Sequence, residues 1–140
     1  MELIFSRRRN LGSLALRTLM WSSWSHCGVI TPENTVIEAR MFAGVIERPL
    51  IDLLEETSKH SFKTITVPDD AAAIAFARAQ VGKPYDWAGV VGLALRRDGW
   101  EAPDAWFCSE LVEACAVAGG RRRFDQQARR VTPQHSWMVV

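Results

Sequence analysis

Cys108, His26 and Glu38 are the residues whose types and settings suit nucleophilic acyl chemistry. From Cys108 the apolar residues fall at Cys108, Leu111, Val112, Cys115 and Ala116, one face of a helix of period 3.6. Gly119-Gly120 supplies the stop, and Pro103 and Asp104 place the start within a residue or two of Cys108. A thiol at that end meets unpaired N–H groups and the positive pole of the helix dipole. Both stabilise the thiolate and bring the pKa below the free value of about 8.5. Free cysteines are also among the most buried side chains, and Cys115, further along the same face, is read as core.

A nucleophilic cysteine needs a base to take its proton, and that base needs an orienting partner. Of the three histidines, His26 begins a strand with Gly28 and Ile30 on its face. The next strand, Val36-Ile37-Glu38-Ala39, carries one carboxylate in an apolar alternation. Side chains alternate with period 2, so His26 and Glu38 share a face only if paired residue numbers add to an even total. A three-residue loop, Pro32 to Asn34, or a five-residue loop meets that condition; a four-residue loop does not. The bland alternatives are a half-buried strand histidine and a solvent-facing glutamate. His60 and His135 lack comparable partners and are expected at the surface. His26-Cys27 with distant Cys108 matches no usual metal-ligand spacing, so neither metal nor cofactor is expected. Phosphate-binding glycine loops and a Gly-x-Ser-x-Gly elbow are absent from the sequence.

The elements that must position these residues follow from the pattern of the chain. Its 140 residues suit one domain, 1–140, with a single core. Strands are expected at Glu2 to Ser6, Ser25 to Thr31, Thr35 to Arg40, about Phe42 to Arg48, and His60 to Val67. Helices are expected from Leu11 to Trp21, from Pro49 to Glu56, from Pro68-Asp69-Asp70 to about Ala79, from Trp87 to Arg96, and at Cys108. The class is α+β: an antiparallel sheet of four or five strands with helices beside it. Net charge is +1. The runs Arg7 to Arg9 and Arg121 to Arg123 are therefore read as solvated loops rather than a nucleic-acid surface. The tail from Arg121 is expected to be loop-like. Three cysteines, an odd number, fit a reducing compartment. The start of the chain has the wrong order and length for a signal peptide, and no apolar run reaches the ~18 residues of a membrane span. Stable membrane insertion is not expected.

Laid out in order, these segments resemble the circularly permuted branch of the papain-like NlpC superfamily of cysteine peptidases and amidases. The ordinary family has a Gly-x-Pro-Tyr segment before a cysteine helix and a His-Val-Gly strand after it. Here Gly82-Lys83-Pro84-Tyr85 precedes Phe107-Cys108-Ser109-Glu110-Leu111-Val112, but Ser25-His26-Cys27-Gly28-Val29-Ile30 comes first. Val36-Ile37-Glu38-Ala39 matches the strand of the third, polar catalytic residue. The permuted branch includes lecithin–retinol acyltransferase-like enzymes. Leu3-Ile4-Phe5-Ser6 with Leu11-Gly12-Ser13 is also similar to small phage-linked members. Two residues depart from the pattern: Phe107 stands where the family has Asp, and Cys27 where it has an aliphatic residue.

The resemblance implies a permuted papain-like hydrolase with a Cys108-His26-Glu38 triad. It also implies a second oxyanion donor, the Tyr85 hydroxyl, which read alone is a turn residue packed on the sheet. The expected substrate is a peptide, amide or other acyl compound, with cell-wall peptide one case. The expected location is cytoplasmic, or outside the cell by a phage or non-classical route. A thioesterase or acyltransferase acting on lipid is the alternative, and a non-catalytic binding module is the third. Trp24, Trp87, Trp100 and Trp106 lie near these segments, but tryptophans commonly fill cores and are given no substrate role.

Overall fold

The computed structural model describes residues 1–8, 13–14, 17–18, 21–89, 104–124 and 131–139. The expected helix from Leu11 to Trp21 falls mostly outside them, as do most of the Trp87–Arg96 helix and Trp100. Five strands form one antiparallel sheet: β1 (Glu2–Arg7), β2 (His26–Ile30), β3 (Thr35–Arg40), β4 (Gly44–Pro49) and β5 (Lys59–Thr64). Their spatial order is β4-β3-β2-β1-β5. Helix α1 (Leu50–Glu56) follows β4, α2 (Asp70–Ala79) follows β5, and α3 (Cys108–Ala118) and α4 (Pro133–Met138) come last.

The two sheet faces are covered differently. Leu3, Phe5, Cys27, Val29, Ile37, Ala39 and Val45 make one core with Ala73 and Ala77 of α2 and Leu111, Val112, Cys115 and Ala116 of α3. On the other face Ile4, Ile30 and Val36 pack with Leu53 of α1. Period-2 alternation thus feeds odd-numbered residues to the α3 side and even-numbered ones to the α1 side.

Local chemistry accounts for the ends of the helices. The Asp69 side chain accepts from the Ala72 N–H at 2.8 Å and starts α2. The cap residue of α3 is Phe107, which has no capping oxygen. Its N–H is instead taken by the Glu110 carboxylate, reaching back at 3.4 Å. Gly120, at φ 88°, supplies the left-handed residue after α3.

Three expectations need correction. β4 starts at Gly44 and not at Phe42, which lies in the preceding turn at φ 68°. The tail contains α4, started by Thr132, whose hydroxyl accepts from the His135 N–H at 3.2 Å. Arg123 is not solvated. Its side chain is buried, with Nε 2.9 Å from the Glu113 carboxylate and Nη1 donating to the Val139 carbonyl at 3.0 Å. The pair between α3 and the tail gives each buried charge an opposite partner, without which its burial would be far more costly. His60 and His135 are exposed, as expected.

Candidate active site

Whether His26 and Glu38 meet depends on the turn between β2 and β3. The Thr31 N–H donates to the Thr35 carbonyl at 3.0 Å, closing a three-residue loop, Pro32 to Asn34, with Asn34 at φ 57°. Val29 then pairs with Ile37 and Ile30 with Val36, an even register. Both side chains project to the α1 side, and His26 Nε2 is hydrogen-bonded to Glu38 Oε2. Gly28 lies between them. A Cβ there would stand 2.8 Å from Val36 Cγ2, 3.1 Å from the Ile37 carbonyl oxygen and 3.3 Å from Glu38 Cβ. The missing side chain lets β3 approach closely enough for a diagonal cross-strand contact.

The other oxygen of Glu38 has its own partner. Arg48 Nε donates to Oε1 at 2.6 Å from the diagonal position on β4. Sequence reasoning missed Arg48, because its face depends on the β3–β4 register. That register follows from the Met41–Ala43 turn, which carries no strong type signal. Glu38 is 1% exposed, with a cation on each oxygen. Burial alone would raise its pKa, but His26 and Arg48 together hold it down at about 2.

Cys108 stands at the first turn of α3, where His26 and Cys27 are the neighbours that act on its thiol. Nε2 is engaged by Glu38, which leaves Nδ1 for the thiol. Burial opposes the charged imidazolium, but Glu38 and Cys108 overcome it and lift His26 to about 10. The Cys108 thiol is pulled well below its ordinary value, first by the hydrogen bond from Cys27, then, against burial, by the bond and charge of His26. Cys27 moves the opposite way, driven up by burial and by the neighbouring thiolate, and burial pushes Cys115 up to about 12. The Glu38 carboxylate is thus flanked by the His26 imidazole on one oxygen and the Arg48 guanidinium on the other. Cys27, whose side chain faces the α3 core, is the second residue that sequence reasoning left without a role.

The Gly82-Lys83-Pro84-Tyr85 segment is clamped between the sheet and the chain entering α3. The Val45 N–H donates to the Lys83 carbonyl and the Gly82 N–H to the Val45 carbonyl, both at 2.9 Å. On the other side the Trp106 N–H donates to the Pro84 carbonyl at 3.1 Å and the Asp86 N–H to the Trp106 carbonyl at 3.0 Å. Gly82 makes the required left-handed turn at φ 92°. The clamp carries Tyr85 to the site. Burial, then the charges of Cys108 and Cys27, push its hydroxyl pKa up, so the group stays a proton donor. A cleft of about 390 Å³ opens here, lined by His26, Glu38, Tyr85, Arg8, Arg40 and Phe42 among others. Trp24 packs with Phe5 and Trp137 in the core, Trp106 is half-buried against Phe76, and Trp87 is exposed.

A cysteine at a helix start facing a histidine on an antiparallel sheet is the arrangement of papain-like enzymes, here with the histidine strand first in the chain. The chain belongs to the C92 peptidase family, the permuted papain-like amidase enzymes of YaeF/YiiX type, whose pattern matches residues 2–127. Among solved structures it is similar to YiiX of Escherichia coli O157:H7, with 26% identity over 90% of this chain and 69% of that one, at a TM-score of 0.67. No curated protein matches the chain. YiiX is described as a metalloprotein. Among the described residues of this chain, no group of three or more His, Cys, Asp or Glu side chains is arranged to hold a metal ion. His26 Nε2 and both oxygens of Glu38 are already engaged, one of them by a guanidinium that would repel a second cation. Among the described residues, the donor set at this site does not fit a metal. Among the described residues no helix is long and apolar enough to cross a membrane.

Proposed function

We propose that this chain is a thiol amidase, working through Cys108 as nucleophile, His26 as proton shuttle and Glu38 as the residue that orients His26. The observation that carries it is the His26–Glu38 hydrogen bond, with Cys108 at the start of α3 lowered in pKa by Cys27 and His26 and the imidazole raised. An ion pair of this kind holds a ready nucleophile and a ready acid at neutral pH. Sγ attacks the amide carbonyl carbon, the carbonyl π pair moves to oxygen, and a tetrahedral oxyanion forms. The backbone N–H of Cys108 and the Tyr85 hydroxyl are the donors assigned to that oxyanion. Collapse breaks the C–N bond as the imidazolium passes its proton to the leaving nitrogen, and the amine departs. Water, losing a proton to His26, then attacks the thioester, and Cys108 leaves as thiolate with the acid released.

The fixed roles of the imidazole nitrogens support this course. Glu38 holds Nε2, so the proton in transit is the one on Nδ1. Arg48 keeps Glu38 ionised and in place, as a positioning residue.

The test is intact-mass analysis after rapid mixing with an activated amide such as an acyl p-nitroanilide. The expected result is a transient acyl adduct on Cys108 that decays with release of acid and is absent in Cys108→Ala. A fatty-acyl adduct that persists, with no amide cleaved, would favour the acyltransferase alternative. No adduct with any acyl donor would leave a binding module.

A further inference from the structure

One side of the cleft carries charge that the proposed chemistry does not use. Arg8 and Arg40 both line it. Both guanidiniums pair with Glu56, the last residue of α1, and so does Arg48. Arg48 is otherwise spent on Glu38. Three guanidiniums therefore share Glu56, which stays 38% exposed, while Glu38 is buried and committed to His26 and Arg48. Arg40 makes one long hydrogen bond to Glu56, 3.4 Å from Nη2, and remains 27% exposed. A guanidinium has five N–H donors in a planar fork, so Arg40 keeps most of its donors for a ligand. Ser6, Ser13, Ser25 and Thr57, also in the lining, add no negative charge.

The surplus is cationic: three guanidiniums, Arg8, Arg40 and Arg48, stand against two carboxylates, Glu38 and Glu56. Elsewhere in the lining the surface is apolar and aromatic. Phe42 is 92% exposed, its ring centroid 4.9 Å from that of Trp87, which is in turn 5.2 Å from Tyr85. Phe42 occupies the left-handed region at φ 68°, a strained setting for a bulky residue, and lines the cleft.

Resting on the thiol amidase reading, we propose that the substrate amide carries a free carboxylate which seats on Arg8 and Arg40. The substrate class is then an N-acylated amino acid or a short peptide ending in a carboxylate. Carboxylate and guanidinium match as two parallel charge-assisted hydrogen bonds, a geometry that a neutral primary amide cannot reproduce. The cleft volume of about 390 Å³ suits a ligand of that size.

The test measures binding by calorimetry to full-length Cys108→Ala, using N-benzoylglycine and its neutral counterpart N-benzoylglycinamide. N-Benzoylglycine is expected to bind about tenfold or more tighter at low salt, the scale of one well-made charged pair. Arg40→Gln and Arg8→Gln, each checked for an unchanged melting profile, should bring the ratio towards one. Arg40→Lys, which keeps the charge and loses the fork, should recover part of it. Equal affinity for the two probes, no binding of either, or a preference that survives both glutamine substitutions overturns the proposal. Binding to the alanine variant involves no turnover, so the two readings fail separately. A carboxylate preference in a chain whose intact Cys108 never acylates would sink the amidase reading alone. Turnover of both probes with equal kcat/KM would sink the carboxylate seat alone.

Discussion

The three cysteines of this chain sit in the same fold at very different proton affinities, and their surroundings account for the order. The Cys108 thiol is lowered by Cys27 and His26 beside it. Cys27 is raised by burial and by Cys108 beside it, and Cys115 is buried against apolar neighbours. Only the thiolate reacts with alkylating agents. Iodoacetamide at about pH 6 is therefore expected to modify Cys108 at least about tenfold faster than Cys27 or Cys115. His26→Ala should remove most of that advantage, as read by peptide mass spectrometry; equal labelling of the three would leave Cys108 a structural residue. Tyr85→Phe tests a different atom. It should lower kcat by about 10²-fold, the scale of one lost oxyanion donor, while leaving Cys108 alkylation nearly unchanged. A loss of alkylation in that variant would mean that Tyr85 shapes the thiol and not the oxyanion. At this scale the sequence marked Cys108 by its place at a helix start and His26 and Glu38 by strand parity. It left Arg48 and Cys27 unmarked. Their contacts depend on a turn register and on helix-to-sheet packing, neither of which is a local property of the chain.

Two connections between elements set the distances on which the site depends. The Pro32–Asn34 loop fixes the parity of β2 against β3, and its Pro and Asn gave a local signal for a turn, though not for its length. The second connection is the Gly82–Asp86 clamp, whose partners Val45 and Trp106 lie far away in sequence. Its role in presenting Tyr85 entered through the family resemblance, because nothing local to Gly-x-Pro-Tyr names those partners. Gly28 joins the element scale to the site. Added carbon there meets Val36 and the Ile37 backbone, so β3 must retreat and take Glu38 with it. Gly28→Ala is expected to cost about 1–3 kcal/mol in denaturant unfolding, the range for overpacking a tight core. It should also slow Cys108 alkylation at about pH 6, since an imidazole further from its carboxylate holds its proton less well. An unchanged alkylation rate in a folded Gly28→Ala protein would show that the Glu38 contact tolerates the wider spacing.

Over the whole molecule, the site is a cluster of charges on one rim of the sheet, and its pH dependence should be visible in stability. Glu38 falls from an ordinary 4.5 to about 2 on folding, so its contribution is present above 4.5 and is lost as pH falls towards 2. His26 rises from 6.5 to about 10, so its contribution is complete below 6.5 and is lost as pH rises through 10. The Cys108 thiol, lowered on folding from 9.0, works against the histidine above 6.5: a folded thiolate gains stability with rising pH while the unfolded chain still holds its proton. Those two shifts offset each other on the alkaline side. The acid side therefore discriminates, because there the carboxylate titrates while the imidazole stays charged. The melting temperature of the parent should exceed that of Glu38→Gln by a clear gap at about pH 4.5 to 6.5. The gap should narrow as pH falls from 4.5 towards 2, because the parent then protonates a carboxylate that the variant does not have. Thermal unfolding of both proteins in steps of about half a pH unit measures it. A gap that stayed constant down to pH 2 would mean that Glu38 is not the buried anion between His26 and Arg48, and the orienting role assigned to it would fall.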